Sequence, residues 1–151
     1  MRHGSLSSLL PLSRKATAMP TLPWTTLGEP APDAEAYVMA SRFEVRSLKD
    51  VPRFFLKSLS AWRQVTRAPG AYGASLIAQP LKRTFWTLSA WEDEEALHRY
   101  ARTEPHRSIM TGLRSTTKAS AFTFWQVPAD GLPVDWAEAR RRLAEQERTG
   151  A

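Results

Sequence analysis

The sequence has no cysteine. That excludes disulfides, zinc–thiolate sites and a thiol nucleophile, and it gives no sign of an oxidising compartment. A cytoplasmic location is therefore expected. No apolar run approaches the roughly 20 residues that a membrane-crossing helix needs, so no membrane partner is expected. There is no Ser-His-Asp order, no HExxH, no glycine-rich phosphate loop and no carboxylate cluster with metal-ligand spacing, which removes hydrolase, kinase and mononuclear metal-enzyme chemistry.

What is present suits one domain with tails: 151 residues, 42% of them hydrophobic, enough to bury a sizeable core. The formal net charge is +6, and its placement argues against a nucleic-acid partner. Three of the excess positive charges fall in residues 1–28, three are spread over 29–134, and 135–151 is neutral. The run Arg140-Arg141-Arg142 lies among Glu138, Glu145 and Glu147 at helical spacing, as on a solvated helix face. No basic stripe is concentrated on one element.

Residues 1–35 are rich in Ser, Thr, Pro and Ala without a sustained period and read as a flexible arm. Met19 is an alternative start to Met1, and Trp24 is the arm residue expected to dock onto the domain. Residues 36–127 carry the domain. "AYVMASRFEVR" alternates as a strand, "SLKDVPRFFLKSLSAWRQVTRAPG" has helical spacing at Phe55, Leu59, Trp62 and Val65 and ends at Pro69-Gly70, and a helix start is expected near Asp50 as N-cap with Pro52 in the first turn. "AYGASLIAQP" and "RTFWTLSAW" read as a strand pair, "EDEEALHRYART" and "PHRSIMTGL" as two helical pieces, and "ASAFTFWQV" as a final strand. Residues 128–151 form a turn-rich linker and an amphipathic helix anchored by Trp136.

The order β-α-β-β-α-β predicts an α+β, ferredoxin-like sandwich with both helices on one face of a four-stranded antiparallel sheet. The other face would expose either Phe85, Ser89 and Trp91 or Trp86, Leu88 and Ala90, both too apolar to leave in water. A homodimer through that open sheet face, as in a dimeric α/β barrel, is the expected partner arrangement.

The stretch "FWTLSAWEDEEALHRYARTEPHRSIM", residues 85–110, resembles the third-strand-and-helix signature of dimeric α/β-barrel proteins of the antibiotic-biosynthesis-monooxygenase type. The similarity extends over roughly residues 36–127. Within that type it is similar to the spheroidene-monooxygenase-like branch and related uncharacterised actinobacterial proteins. There a T-x-S-x-W strand precedes an acidic helix and an H-R-x-x-M segment, matched here by Thr87, Ser89, Trp91, His106, Arg107 and Met110. The resemblance implies a small-molecule pocket between helices and sheet, in which relatives oxidise aromatic or polyene substrates, some without a cofactor and some with haem.

His106 is the candidate catalytic residue, because a histidine titrates near neutral pH and can serve as base, proton shuttle or iron ligand. Its structural reading is a helix-start residue satisfied by backbone or water. Trp86, Trp91, Trp62 and Trp125 read either as an aromatic cage for a flat ligand or as plain core. Thr87 and Ser89 either point hydroxyls into the pocket or are ordinary strand residues, and Met110 turns inward. Three functions follow: a small-molecule monooxygenase or related oxidoreductase; a non-catalytic ligand-binding or accessory dimer; and a haem enzyme with His106 as ligand, which lacks a CxxCH attachment motif. No pattern assigns a cofactor.

Overall fold

The computed structural model describes residues 21–150. The sheet has five strands, β1 (Thr21–Thr26), β2 (Glu35–Val45), β3 (Ala71–Gln79), β4 (Thr84–Trp91) and β5 (Thr117–Pro128). Four helices accompany them: α1 (Val51–Val65), α2 (Glu94–Arg102), α3 (His106–Leu113) and α4 (Trp136–Gly150). All pairings are antiparallel, in the order β1-β3-β4-β2-β5. The last four strands have the ferredoxin-like arrangement, so the α+β class expected from the sequence is the class observed. No helix among the described residues is long and apolar enough to cross a membrane.

Local chemistry sets the element ends. Asp93 is extended and its carboxylate accepts a hydrogen bond from the Ala96 amide at 2.8 Å, capping α2, whose first turn carries Glu94 and Glu95. This placement suits the positive end of the helix dipole. Asp50 does not cap α1 as expected. The chain is already helical one turn earlier, in a 3₁₀ segment at Leu48–Asp50 that Ser47 caps through the Lys49 amide, and the Asp50 side chain makes no capping bond.

Two further expectations are corrected. Residues 21–26 of the presumed arm are an edge strand, held where Ser75 Oγ donates to the Leu22 carbonyl at 2.9 Å. Its Trp24 packs against Gly73, where a Cβ would come within 2.2 Å of the indole Cζ2; only glycine permits this approach. Residues 27–34 of the expected arm are irregular with one turn, and its residues 1–20 lie outside the described residues. The second correction concerns the open sheet face, which is covered by the chain's own C-terminal helix.

Strand alternation divides the sheet into two faces. Tyr37, Met39, Ser41, Phe43 and Val45 of β2 face α1, α2 and α3. Ala36, Val38 and Ala40 face the other way and have no exposed surface. They pack with Leu88, Ala90, Ala121 and Trp125 beneath Ala139 and Leu143 of α4, with Trp24, Trp86 and Trp136 around them. Around this core Tyr72, Trp86, Val127 and Trp136 remain partly exposed.

The apolar seam of α4 is narrow, and cations fasten it. Arg140 lies 4.5 Å from the Trp86 ring centre and Arg142 4.6 Å from that of Trp125. Arg42 reaches the Trp86 ring at 5.9 Å and forms an ion pair with Glu147, and the Trp136 indole donates to Ser75 Oγ at 3.1 Å. The basic run 140–142 is therefore partly internal, since guanidinium over an indole face gains about 0.5–2 kcal/mol. Leu143→Ala is expected to lower the unfolding free energy by about 2–5 kcal/mol, measured by urea denaturation. A loss under about 1 kcal/mol would show that α4 does not seal this face.

Candidate functional site

The opposite face carries a cavity of about 240 Å³ between the sheet and the helices. Its floor is the alternate set of strand residues, Met39, Ser41 and Phe43 of β2 with Thr87 and Ser89 of β4. Its walls come from Phe54, Ser58 and Trp62 of α1, Tyr100 at the end of α2, and His106, Ile109 and Met110 of α3. Phe122 and Phe124 of β5 complete it at the edge of the sheet, where both are exposed. The lining contains no Asp, Glu, Lys or Arg.

Register creates the polar part of the floor. Ser41 and Thr87 are cross-strand partners, and their hydroxyls are hydrogen-bonded to each other. In such a pair one proton is used internally and the other remains to be donated. Ser41 is 1% exposed, so this donor sits at the cavity's base. Ser89 Oγ instead accepts from the Trp91 indole at 2.8 Å.

His106 enters the wall through a clamp. The amide oxygen of Gln64 accepts the His106 backbone N–H at 2.7 Å, while the amide nitrogen of the same side chain donates to the carbonyls of Tyr100 and Thr103 at 3.1 and 3.2 Å. One residue of α1 thus fixes the elbow between α2 and α3. The His106 Nδ1 lies 3.1 Å from the Ala101 carbonyl. A carbonyl only accepts, so Nδ1 carries the proton and Nε2 keeps its lone pair. Burial holds the His106 pKa below its usual 6.5, partly offset by the Ala101 bond. The result is a neutral imidazole with one fixed tautomer. Tyr100 packs on the ring at 4.7 Å and donates its hydroxyl to the Ala61 carbonyl at 3.0 Å. Burial pushes the Tyr100 phenol well above its usual pKa, so it remains a protonated anchor between α1 and α2.

The structure divides the residues singled out from the sequence. His106, Trp62, Thr87, Ser89 and Met110 line the cavity. Trp86 and Trp125 do not, because each stands one residue out of phase on its strand and faces α4. Trp91 is completely buried behind the cavity against Tyr100, 5.1 Å between rings. The four-tryptophan cage is thus reduced to Trp62, with phenylalanines supplying most of the aromatic lining. Sequence reasoning missed the Ser41 pairing, Tyr100 and Gln64. The alternation of β2 placed Ser41 on the face of Met39 and Phe43, but only strand register joins it to Thr87. Nothing local marks Gln64. Among the described residues no group of three or more His, Asp or Glu side chains could hold a metal ion.

The buried imidazole has a thermodynamic signature. Because the folded-state pKa is depressed, the unfolded chain takes the proton first as pH falls below 6.5. Stability is therefore intact above that pH and declines as pH drops toward the folded-state pKa. Glu104 and Glu138, both held below the usual 4.5 by neighbouring side chains, act only at more acidic pH. The melting temperature is expected to fall as pH drops below 6.5, and to fall less in His106→Gln. Equal falls in the two proteins would contradict the buried neutral imidazole.

No curated protein matches the chain. Among solved structures the fold recurs in SnoaB, a cofactor-independent oxygenase from Streptomyces nogalater. It is 18% identical with a TM-score of 0.51, over 67% of this chain and 100% of that one. An antibiotic biosynthesis monooxygenase is 10% identical with a TM-score of 0.54, over 59% of this chain and 95% of that one. LmHde, a haem-degrading enzyme from Listeria monocytogenes, is 16% identical with a TM-score of 0.55, over 73% and 71%. At these identities the likeness is one of fold. Residues 54–151, from the first turn of α1 onward, match a family model, and the chain belongs to the family described as Domain of unknown function (DUF3291).

Proposed function

We propose that the protein binds a small, flat hydroxyaromatic molecule in the apolar cavity and oxidises it with dioxygen, without a resident cofactor. The observation that carries this reading is His106: a neutral imidazole whose Nδ1–H is committed to Ala101, leaving Nε2 free of a proton in a cavity without charged side chains. Such a group suits a general base for one weakly acidic proton. The Ser41–Thr87 pair, with one hydroxyl proton to give, would steady the oxyanion left behind. Removing the proton makes the ring electron-rich enough to reduce dioxygen. A phenol and dioxygen then give a quinone and water, with one oxygen atom entering each product and no outside reductant required. Solved structures of the same fold include a cofactor-independent oxygenase and an antibiotic biosynthesis monooxygenase, which supports the reaction class.

Substrates of the other kinds expected suit the cavity less well. At about 240 Å³ it falls below the usual range of roughly 300–1,000 Å³ for drug-sized ligands, which favours one or two fused rings over the long polyene of the spheroidene class. Haem is the reading this cavity suits least, since about 240 Å³ is small for a four-pyrrole macrocycle. A binding role without turnover is the second reading, favoured by the largely apolar lining, in which His98 and His106 are the titratable bases.

The test is oxygen uptake with 1-naphthol, followed alongside tryptophan fluorescence. The wild-type protein is expected to consume oxygen and form naphthoquinone, and His106→Ala to slow this by about 10²–10⁴-fold while still binding the naphthol. Binding without oxygen uptake by the wild type would establish the accessory role instead. Uptake unaffected by His106→Ala would remove His106 from the chemistry.

A further inference from the structure

A second groove, of about 420 Å³, lies between the C-terminal end of α3 and the first half of β5. Five of its side chains, Phe43, Phe54, Met110, Leu113 and Phe122, also line the cavity. The two spaces thus adjoin along these shared apolar side chains, of which Phe122 is 36% exposed. Away from the cavity the lining changes character, to Arg114 and Lys118 with Thr117 and Ser120.

Neither cation is needed where it stands. Arg114 follows the last residue of α3, the usual place for a charge that offsets the helix dipole. Yet the Leu113 carbonyl at that end already accepts from the hydroxyls of Thr116 and Thr117 at 3.0 and 2.8 Å. Among the described residues the Arg114 guanidinium has no ion pair and no hydrogen bond. Lys118 meets Glu44 at 3.7 Å, with both side chains partly exposed, a contact that solvent reduces to little. Arg46 nearby spends its Nε–H on the Ser115 carbonyl at 3.1 Å. Of these four side chains, Arg46, Arg114 and Lys118 are cations and Glu44 is the one carboxylate.

We propose that the ligand of the cavity carries a carboxylate as well as its aromatic body, and that Arg114, assisted by Lys118, receives that carboxylate at the outer end of the groove. The inference rests on the small-molecule reading and narrows its ligand to an amphipathic aromatic acid. A guanidinium presents two parallel N–H donors that match the two oxygens of a carboxylate. The apolar side chains common to groove and cavity would lie against the rings. Exposure of Phe122 follows from the same arrangement, since it would be covered only when ligand is present.

The experiment compares 6-hydroxy-2-naphthoate with its methyl ester, which keeps rings and hydroxyl and loses only the charge. Dissociation constants are measured by tryptophan fluorescence for the wild type, Arg114→Gln and Lys118→Gln. The wild type is expected to bind the acid at least about tenfold more tightly than the ester, as one charge-assisted pair allows. Arg114→Gln should erase that preference while leaving the ester's affinity unchanged, and Lys118→Gln should reduce it partially. Added salt should narrow the wild-type preference. Equal binding of acid and ester by the wild type, or an equal loss for both in Arg114→Gln, would overturn the inference and leave the small-molecule reading standing. Binding of neither compound would overturn both.

Discussion

Ala36, Val38 and Ala40 have no exposed surface, and this double-sided burial of the interior strand β2 is the constraint on which the rest depends. A strand with helices on one face only would leave three small apolar side chains, and their neighbours Leu88 and Ala90, in water. The chain answers with its own C-terminal helix, seated through Ala139 and Leu143 and fastened by arginines over Trp86 and Trp125. With that face sealed in one chain, the opposite face is free to hold an incompletely filled space. The cavity exists because α1, α2 and α3 cover β3, β4 and β2 without reaching over β5, whose Phe122 and Phe124 stay exposed.

Within that space three contacts from three elements act together. Strand register joins Ser41 to Thr87; Gln64 of α1 holds the elbow before α3; and the Ala101 carbonyl selects the tautomer of His106. None of these is strong alone, since a neutral hydrogen bond contributes about 0.5–1.5 kcal/mol. Their effect is orientational. They convert a buried histidine, whose ring could turn either nitrogen inward, into one that offers a lone pair on Nε2.

Much of the fold was legible because it depends on short-range patterns. The alternation of residues 36–46 and the acidic start of α2 place their elements within a residue or two. The two-faced nature of the sheet was equally legible, but its cover was not. The sequence predicted a second copy over the open face because the C-terminal helix, with few apolar residues and three consecutive arginines, looks solvated. Cation–indole contacts between Arg140 and Trp86, and between Arg142 and Trp125, depend on tertiary approach that no local pattern reveals. The tryptophans misled for a related reason: Trp86 and Trp125 are one residue out of phase with the cavity face, and period two sends each to the opposite side. His106 was singled out by its residue type and by resemblance. Its clamp, Gln64, stands 42 positions away in sequence and carries no signal of its own.

The account turns on the protonation of one ring. Nitrogen-15 NMR of the His106 imidazole, recorded at neutral pH with and without 1-naphthol, tests it most directly. The free protein should show Nδ1 protonated and Nε2 bare, with the Nε2 resonance moving toward that of a protonated nitrogen when the naphthol binds. A free protein with the proton on Nε2, or an Nε2 resonance indifferent to the bound naphthol, would contradict the assignment of His106 as the base of this cavity.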